Sequence, residues 1–256
     1  MRIGSYQFRV TGNVEHNFNC MKNGIEEAAK EGIRLLLFPE CAVTGYPPRN
    51  IKSTSVVDYE ATARTYDQFM AFAERYQMHL VVGTIIREEA RYYNCAIVFF
   101  PDGRRSIYRK RALWGWDREN FCEGCDSGVF EADNLKVGIR ICYEIRFPEF
   151  FRELYRAQTD LNIMLFFDET DNIDLDRYSL IKGHIQTRAV ENVCPILTCN
   201  TCSVFQTAPT GFFDRSGKML AVMEKDKEGL LVCEFEHNPL TFGEEGRKLI
   251  SDSLME

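Results

Sequence analysis

Apolar and polar positions along this chain follow two alternating periods. Short runs in which every second residue, or every residue, is apolar are typical of β-strands, and runs with apolar residues every three or four positions are typical of amphipathic helices. The first pattern predicts strands over 2–10, 33–38, 79–86, 93–100, 106–109, 129–131, 136–141, 161–167, 195–200, 204–206, 211–214, 219–223 and 230–235. The second predicts helices over 14–31, 57–76, 149–158 and 176–192.

This order of elements predicts an α/β fold. Helices alternate with strands, and turn sequences at 101–104 and 214–218 predict hairpins, so we expect mixed sheets covered by helices. The series of strand and helix signals occurs twice along the chain, which suits two similar sheets packed face to face. The chain contains no linker or low-complexity stretch, and we therefore expect one domain over 1–256. Residues 238–256 are expected to be a polar C-terminal tail that frays or docks on a partner subunit.

Composition excludes several classes of partner. A chain of 256 residues can bury a large core, and its net charge of -7 argues against binding to nucleic acid or anionic membranes. No apolar run approaches the roughly 20 residues that span a bilayer. The first residues enter a strand pattern directly and lack the features of a signal peptide. A cytoplasmic protein is therefore expected.

Ten cysteines in such a protein are expected to be reduced thiols. Two C-x-x-C pairs, Cys122 with Cys125 and Cys199 with Cys202, make a four-cysteine zinc site conceivable. The second pair lies in strand-like sequence, where residues i and i+3 point to opposite faces and chelate poorly. A non-catalytic thiol or zinc-binding protein is kept as an alternative, and no metal or other cofactor is expected.

Cys142 ends an apolar strand, and Pro148 opens the helix that follows. A thiol at such a corner is held rigidly and remains reachable, as a nucleophile requires. Taken alone, a free cysteine is more often a small buried hydrophobe.

Charged residues that could take part in catalysis lie at the ends of two other predicted strands. Glu40 follows the buried strand 33–38 and Pro39, where a carboxylate can serve as a general base. Lys110 ends a strand within a cluster of three basic residues. Each has an ordinary alternative, a solvated loop acid and an exposed basic patch respectively.

Together these segments resemble the nitrilase, or carbon–nitrogen hydrolase, superfamily. The order Glu, Lys, Cys and the spacings from 40 to 110 and from 110 to 142 match, and the resemblance runs from residue 2 to about 235. The matching stretches are Phe38-Pro39-Glu40, Gly45-Tyr46, Tyr108-Arg109-Lys110, Gly138 to Glu144, Arg146 to Glu149, Arg188 to Asn192 and Thr210 to Asp214.

The resemblance implies a four-layer αββα sandwich of two mixed sheets and a homodimer or larger homo-oligomer. It implies that Cys142 attacks a small amide or N-carbamoyl compound to form a thioester and release ammonia or an amine. Glu40 would act as the base, and Lys110 and the backbone N–H of Tyr143 would stabilise the oxyanion. Nitrile hydrolysis and acyl transfer remain alternatives in the same fold. Tyr143 favours an amide, because nitrilases usually carry tryptophan at that position.

The resemblance also suggests positioning and substrate-binding residues. Glu119 best matches a second glutamate that positions substrate and lysine, with Glu123 as a less favoured substitute. Tyr46 is assigned to substrate binding. Glu144 and Arg188 are expected to form structural hydrogen bonds and ion pairs near the site.

Asp168 and Glu169 follow the strand 161–167, and strand ends in α/β folds face the ligand crevice. Two acids there suggest a substrate that carries an amine or guanidinium. An equally weighted alternative places them in an acidic cluster, with Asp171, Asp174 and Asp176, at the N-terminus of a helix.

Overall fold

The computed structural model describes residues 1–255 of the chain. These residues contain two six-stranded sheets. Their strands are β1 (Arg2–Gln7), β2 (Leu35–Leu37), β3 (His79–Glu88), β4 (Arg91–Phe99), β5 (Arg105–Arg109), β6 (Val129–Ala132), β7 (Leu135–Ile141), β8 (Leu161–Leu165), β9 (Ile196–Cys199), β10 (Gly211–Phe213), β11 (Met219–Val222) and β12 (Gly229–Glu234). The predicted strand at 204–206 is wrong, because these residues form a turn in which only Gln206 bridges to Glu169.

The same residues form six α-helices, which are α1 (Val14–Lys30), α2 (Tyr59–Tyr76), α3 (Trp116–Asn120), α4 (Pro148–Arg156), α5 (Leu175–Glu191) and α6 (Phe242–Ser253). Short 3₁₀ turns occupy Thr54–Val56 and Cys142–Arg146. No helix within residues 1–255 combines the length and the apolar character that crossing a membrane would need.

Each sheet mixes parallel and antiparallel neighbours. The first has the order β12-β1-β2-β3-β4-β5, with β1, β2 and β3 parallel. The second has the order β11-β10-β9-β8-β7-β6, with β7, β8 and β9 parallel. Parallel strands end at one edge of their sheet, so the residues that follow β7 and β8 can meet at one edge of the second sheet. The segment that follows β2 of the first sheet reaches this edge across the gap, where the backbone N–H of Glu40 donates to the carbonyl of Phe166 at 3.2 Å.

The layers follow from the alternation of side chains along the strands. Leu35 and Leu37 of β2 pack between the two sheets, whereas Leu36 packs outward with buried residues of α1 and α2. On the second sheet, Met164 of β8 packs outward with residues of α4 and α5. Period-two alternation in strands buried on both faces produces this arrangement. The predicted αββα sandwich is confirmed.

The C-terminal segment differs from the expected polar tail, because most of it is helix α6. The helix begins with a capping box in which the backbone N–H of Thr241 donates to Glu244, 2.8 Å away. The hydroxyl of Tyr155 donates to Asp252 at 2.5 Å and to the carbonyl of Lys248 at 3.2 Å. These local and long-range contacts order a segment whose apolar pattern is too weak to predict a helix. Residue 256 lies outside the described residues.

Candidate active site

Cys142 occupies a strained elbow at the end of β7. Its φ of 45° lies in the left-handed region, and its side chain is partly exposed. For a residue other than glycine this conformation costs about 1–2 kcal/mol. The surrounding contacts must therefore hold the elbow in place.

Glu144 supplies those contacts. Its Oε2 accepts a hydrogen bond of 2.6 Å from the N–H of Ile141, directly before the cysteine. Its Oε1 accepts from the hydroxyl of Tyr108 at 2.8 Å and from the N–H of Arg111 at 2.7 Å. The carboxylate is fully buried, and it ties the cysteine elbow to the segment that carries Lys110. Glu144 thus has the structural role expected of it.

Arg188, on α5, supports the same turn from the other side. Its Nε donates to the carbonyl of Ile145 at 3.1 Å, and its Nη1 pairs with Glu191 at 2.9 Å. This is the structural role expected for Arg188.

Glu40 and Lys110 form a buried ion pair between the ends of β2 and β5. The Nζ of Lys110 donates to Oε1 of Glu40 at 2.7 Å, and Asn94 donates to the same oxygen at 2.6 Å. Oε2 of Glu40 accepts from the backbone N–H of Phe167 at 2.9 Å, across the gap between the two sheets. The predicted base and the predicted oxyanion donor are therefore in direct contact.

Asp117 is the second acid of the cluster, and the sequence did not single it out. Its Oδ2 accepts from Nζ of Lys110 at 2.7 Å, and its Oδ1 accepts from the hydroxyl of Tyr46 at 2.9 Å. Glu119 and Glu123, the expected candidates, are both exposed. On a helix of about 3.6 residues per turn, positions 117 and 119 point in nearly opposite directions, so only one of them can face Lys110.

A sequence signal for Asp117 does exist. Leu113, Asp117 and Phe121 are spaced by four residues, and all three are buried. Residues four apart lie on one helix face. Phe121 caps the C-terminus of α3, so this buried neighbour marks position 117 as inward-facing, whereas Leu113 lies before the helix.

Burial and charge set the ionisation of the cluster. Burial raises the pKa of Glu40, and the nearby ammonium of Lys110 offsets part of that rise. Burial acts to lower the pKa of Lys110, but the carboxylates of Asp117 and Glu40 outweigh it, so the net pKa is raised. Lys110 therefore stays charged, as its predicted role of oxyanion donor requires.

The same charges shift the pKa of the Cys142 thiol. Burial raises the pKa of its thiol, Glu40 raises it further, and Lys110 lowers it. The resting residue is therefore a thiol, and a base has to remove its proton during the reaction.

The two tyrosines assigned by resemblance lie at this site. Tyr143 is the second residue of the 3₁₀ turn that Cys142 opens, where a backbone N–H has no acceptor within the turn. Its ring packs edge-on against Phe147, with centroids 5.3 Å apart. The ring of Tyr46 stacks on Phe167 at 5.1 Å, next to the N–H that contacts Glu40.

Asp168 is not free to receive a cationic substrate. Its Oδ1 accepts from Nη2 of Arg177 at 2.7 Å and from the hydroxyl of Thr207 at 2.8 Å, and the residue is buried. The sequence hypothesis did not include Arg177, which lies nine positions away on a helix whose orientation the pattern does not specify, and the charge of the substrate stays a prediction. Glu169 is partly buried, and Asp174, not Asp168, caps α5 by accepting from the N–H of Arg177 at 2.8 Å.

The cysteine pairs do not form a metal cluster. Within residues 1–255, no group of three or more histidine, cysteine or acidic side chains is placed to hold a metal ion. Cys199 and Cys202 are buried, and the thiol of Cys199 donates to the carbonyl of Tyr6 at 3.3 Å. Cys122 is partly exposed and Cys125 is exposed.

A four-layer sandwich with a buried Glu–Lys pair beside a cysteine elbow defines a class of hydrolase that acts through a thiol. The family model described as carbon-nitrogen hydrolase matches residues 2–238. The chain belongs to the carbon–nitrogen hydrolase family. The predicted family and enzyme class, hydrolysis of a carbon–nitrogen bond, are thereby confirmed.

Several curated proteins are similar to this chain. A probable nitrilase of Schizosaccharomyces pombe is 26% identical over 86% of this chain and 82% of its own length. A 2-oxoglutaramate amidase of Bacillus subtilis is 28% identical over 77% of this chain and 75% of its own. An omega-amidase of Xenopus tropicalis is 31% identical over 58% of this chain and 56% of its own.

Solved structures share the fold. An amidase of Nesterenkonia sp. superposes with a TM-score of 0.81 at 22% identity, covering 92% of this chain and 93% of that chain. Another structure of the Nesterenkonia enzyme, carrying acrylamide added to its active-site cysteine, has a TM-score of 0.82 at 22% identity and covers 99% of both chains.

Proposed function

We propose that this protein hydrolyses the carbon–nitrogen bond of a small amide or N-carbamoyl compound through a thioester on Cys142. The observation that carries the proposal is the buried contact of 2.7 Å between Lys110 and Glu40. Glu144 tethers this pair to the cysteine elbow. A base, a fixed cation and a thiol at one crevice are the groups that acyl transfer from an amide requires.

The first half of the reaction forms the thioester. Glu40 takes the proton of the Cys142 thiol as the sulfur attacks the carbonyl carbon. The oxyanion is stabilised by the ammonium of Lys110 and the backbone N–H of Tyr143. One such donor is worth about 3 kcal/mol of barrier. Glu40 then gives its proton to the leaving nitrogen, and ammonia or an amine departs.

The second half hydrolyses the thioester. Glu40 removes a proton from a water molecule, and the resulting hydroxide attacks the thioester carbon. The same two donors hold the second oxyanion. When this intermediate collapses, the carbon–sulfur bond breaks, the acid leaves, and the proton on Glu40 returns to the thiolate of Cys142.

Amides are preferred to nitriles as substrates in this proposal. Tyr143 follows the cysteine at a position where nitrilases usually carry tryptophan. Two of the similar curated proteins are named as amidases. The lysine–carboxylate cluster also provides a charged donor for a carbonyl oxygen.

Ammonia release tests the proposal. Purified protein is incubated with a panel of small amides, ureido acids and nitriles, and Cys142→Ala serves as the inactive control. We expect ammonia from at least one amide or ureido acid, and mass spectrometry should find Cys142 as the fastest thiol to react with iodoacetamide. Release from nitriles only would favour the nitrilase alternative. Stoichiometric zinc with uniformly slow thiols would instead support the metal-binding alternative.

We also propose a homo-oligomer. Exposed apolar side chains on α5 and α6, and in the residues that flank these helices, support this, because large exposed apolar surfaces often mark protein–protein contacts. These side chains are Ile173, Leu175, Leu180, Phe242, Leu249, Ile250 and Leu254. Light scattering coupled to size-exclusion chromatography tests it, and a mass near 29.7 kDa, that of one chain, would contradict it.

We propose a cytoplasmic location because the cysteines are free thiols. All ten are free thiols, of which six are buried, three are partly exposed and one is exposed, and this suits a reducing compartment. Fractionation of cells producing the protein, followed by thiol quantification, tests this. Recovery of the protein with oxidised cysteines in a secreted fraction would contradict it.

A further inference from the structure

Arg177 lies at the crevice with part of its guanidinium uncommitted. We infer that Arg177 selects the acyl part of the substrate by binding a carboxylate, so that the preferred substrate is a small amide carrying a negative charge. The inference deepens the proposed amide hydrolysis and rests on it. The acids at 168 and 169 suggest a cationic substrate in the sequence, whereas this inference gives the substrate a negative charge.

The guanidinium is held in place by buried groups. Nη2 and Nε of Arg177 donate to Oδ1 of Asp168 at 2.7 and 3.2 Å, and Nε also lies 3.3 Å from the hydroxyl of Thr207. Asp168 and Thr207 are both buried. Nη1 has no hydrogen-bond partner among residues 1–255, and 38% of the Arg177 side chain is exposed. One donor edge of a positioned guanidinium therefore remains open to a ligand.

Backbone pairing places this arginine near the reacting thiol. Ile141 pairs with Leu165 in the parallel ladder of β7 and β8, so Cys142 lies beside the first residue past β8. Asp168 is two positions further on, about 7 Å along an extended chain. The intervening Phe167 donates its N–H to Glu40. Asp168 thus holds Arg177 next to the base and the nucleophile.

Electrostatics agree with this placement. Burial acts to lower the pKa of Arg177, while Asp168 and Cys142 raise it, and the net pKa is raised. The guanidinium is therefore charged at every working pH, and the charge on the nucleophile contributes to its raised pKa.

The acids near Arg177 leave its Nη1 edge open. Asp168 is paired with Arg177, and Arg49 binds Asp171. Glu169 follows Asp168 directly, and successive residues of an extended segment point to opposite sides. Its carboxylate is therefore directed away from the side on which Asp168 holds Arg177. An anionic group entering beside Cys142 meets the open Nη1 edge of Arg177, whose other edge is held by Asp168.

Three amides of matched size separate the possible charges. Butyramide is neutral, the monoamide of succinic acid replaces its methyl group by a carboxylate, and 3-aminopropanamide replaces it by an ammonium. For the wild-type protein we expect kcat/KM to be highest for the succinic monoamide and lowest for 3-aminopropanamide. In Arg177→Gln the value for the succinic monoamide should fall about 10- to 100-fold, chiefly through KM, with butyramide little changed.

Two further variants isolate the role of the charge. Arg177→Lys keeps the cation and should retain part of the preference for the anionic amide. Arg104→Gln removes a similar arginine, paired with Asp102 in the β4–β5 turn at the opposite end of β5 from Lys110, and should leave all three values unchanged. An equal loss on all three amides in Arg177→Gln would mean a structural role and would overturn the inference. A wild-type preference for 3-aminopropanamide would also overturn it and would point to Glu169.

A binding measurement keeps this test separate from the proposed function. Succinate should slow the alkylation of Cys142 by iodoacetamide in the wild-type protein and not in Arg177→Gln. Protection that depends on Arg177 supports the carboxylate site even if none of the three amides is hydrolysed, in which case amide hydrolysis is the proposal that fails. Equal protection, or none, in both proteins would overturn the carboxylate site whatever the amides show.

Discussion

The ammonium of Lys110 lies 2.7 Å from Oδ2 of Asp117, the same distance that separates it from Glu40. Lys110 therefore forms ion pairs with two buried carboxylates at once. Asp117 in turn accepts from the hydroxyl of Tyr46, so one acid holds both the proposed oxyanion donor and the proposed substrate-binding residue.

Asp117→Asn is predicted to lower kcat/KM about 10- to 100-fold, because it removes a charge-assisted hydrogen bond that orients Lys110. Steady-state ammonia release measures this, with thermal unfolding to confirm that the variant is folded. Glu119→Gln is the matched control, since Glu119 is exposed on the same short helix. If the two substitutions had equal effects, the positioning role of Asp117 would be excluded.

The raised pKa of Glu40 predicts that activity falls on the acid side of the pH–rate profile. The residue must be ionised to accept the thiol proton, and burial raises its pKa above the ordinary 4.5. Activity should therefore fall as pH decreases through a value above 4.5, seen in kcat/KM, which reports the free enzyme. Glu40→Gln should lower activity about 10²- to 10⁴-fold and abolish this decrease. Persistence of the decrease in the variant would assign it to another group.

Glu144→Gln tests the tether beneath the elbow. An amide in place of the carboxylate weakens the bonds from Ile141, Tyr108 and Arg111 and turns one acceptor into a donor. We expect a loss of about 2–3 kcal/mol in the free energy of unfolding, measured by urea titration, together with a large loss of activity. Glu149→Gln, at an exposed acid seven positions from the nucleophile, should change neither. A stable but inactive Glu144→Gln protein would mean that the carboxylate acts in the chemistry itself.

His79 predicts a pH-dependent stability. Burial lowers its pKa below 6.5, with Asp133 opposing that shift and Arg34 adding to it. Because the unfolded chain then binds the proton more readily than the folded one, stability should fall as pH decreases from about 6.5 toward the folded pKa. The slope is at most about 1.4 kcal/mol per pH unit. The pKa of Asp133 is lowered from 3.8, so its own contribution is lost only at more acidic pH.

Urea midpoints at pH 7.5 and 5.5 measure this effect in the wild-type protein and in His79→Gln. The wild-type protein should lose more stability between these two pH values than the variant does. The remaining histidines are common to both proteins, so the difference reports His79 alone. Identical losses would show that His79 titrates equally in the folded and unfolded chains.

Local sequence was sufficient to locate the ends of β2, β5 and β7. Strand periodicity depends only on neighbouring residues, so the pattern identified Glu40, Lys110 and Cys142 as candidates before any contact was known. The resemblance then predicted that they share one site, and the structure brings the first two into contact and tethers the third to them.

The polar partners could not be predicted in the same way. Whether Asp117 or Glu119 faces Lys110 depends on how one turn of helix docks, and the structure places Asp117, not the expected Glu119, in contact with Lys110. The charge presented beside Asp168 depends on Arg177, which reaches it from the following helix. Helix α6 was missed because contacts with Tyr155 and a capping box order it more than its own periodicity does.

The sequence by itself determined the sandwich, the family and the three strand-end candidates, because periodicity and motif spacing are properties of consecutive residues. Only the tertiary structure decided which acid contacts Lys110 beside Glu40 and which cation pairs with Asp168. Those outcomes depend on the partners that side chains meet across the fold, and burial makes each such pairing decisive for the charge of the site.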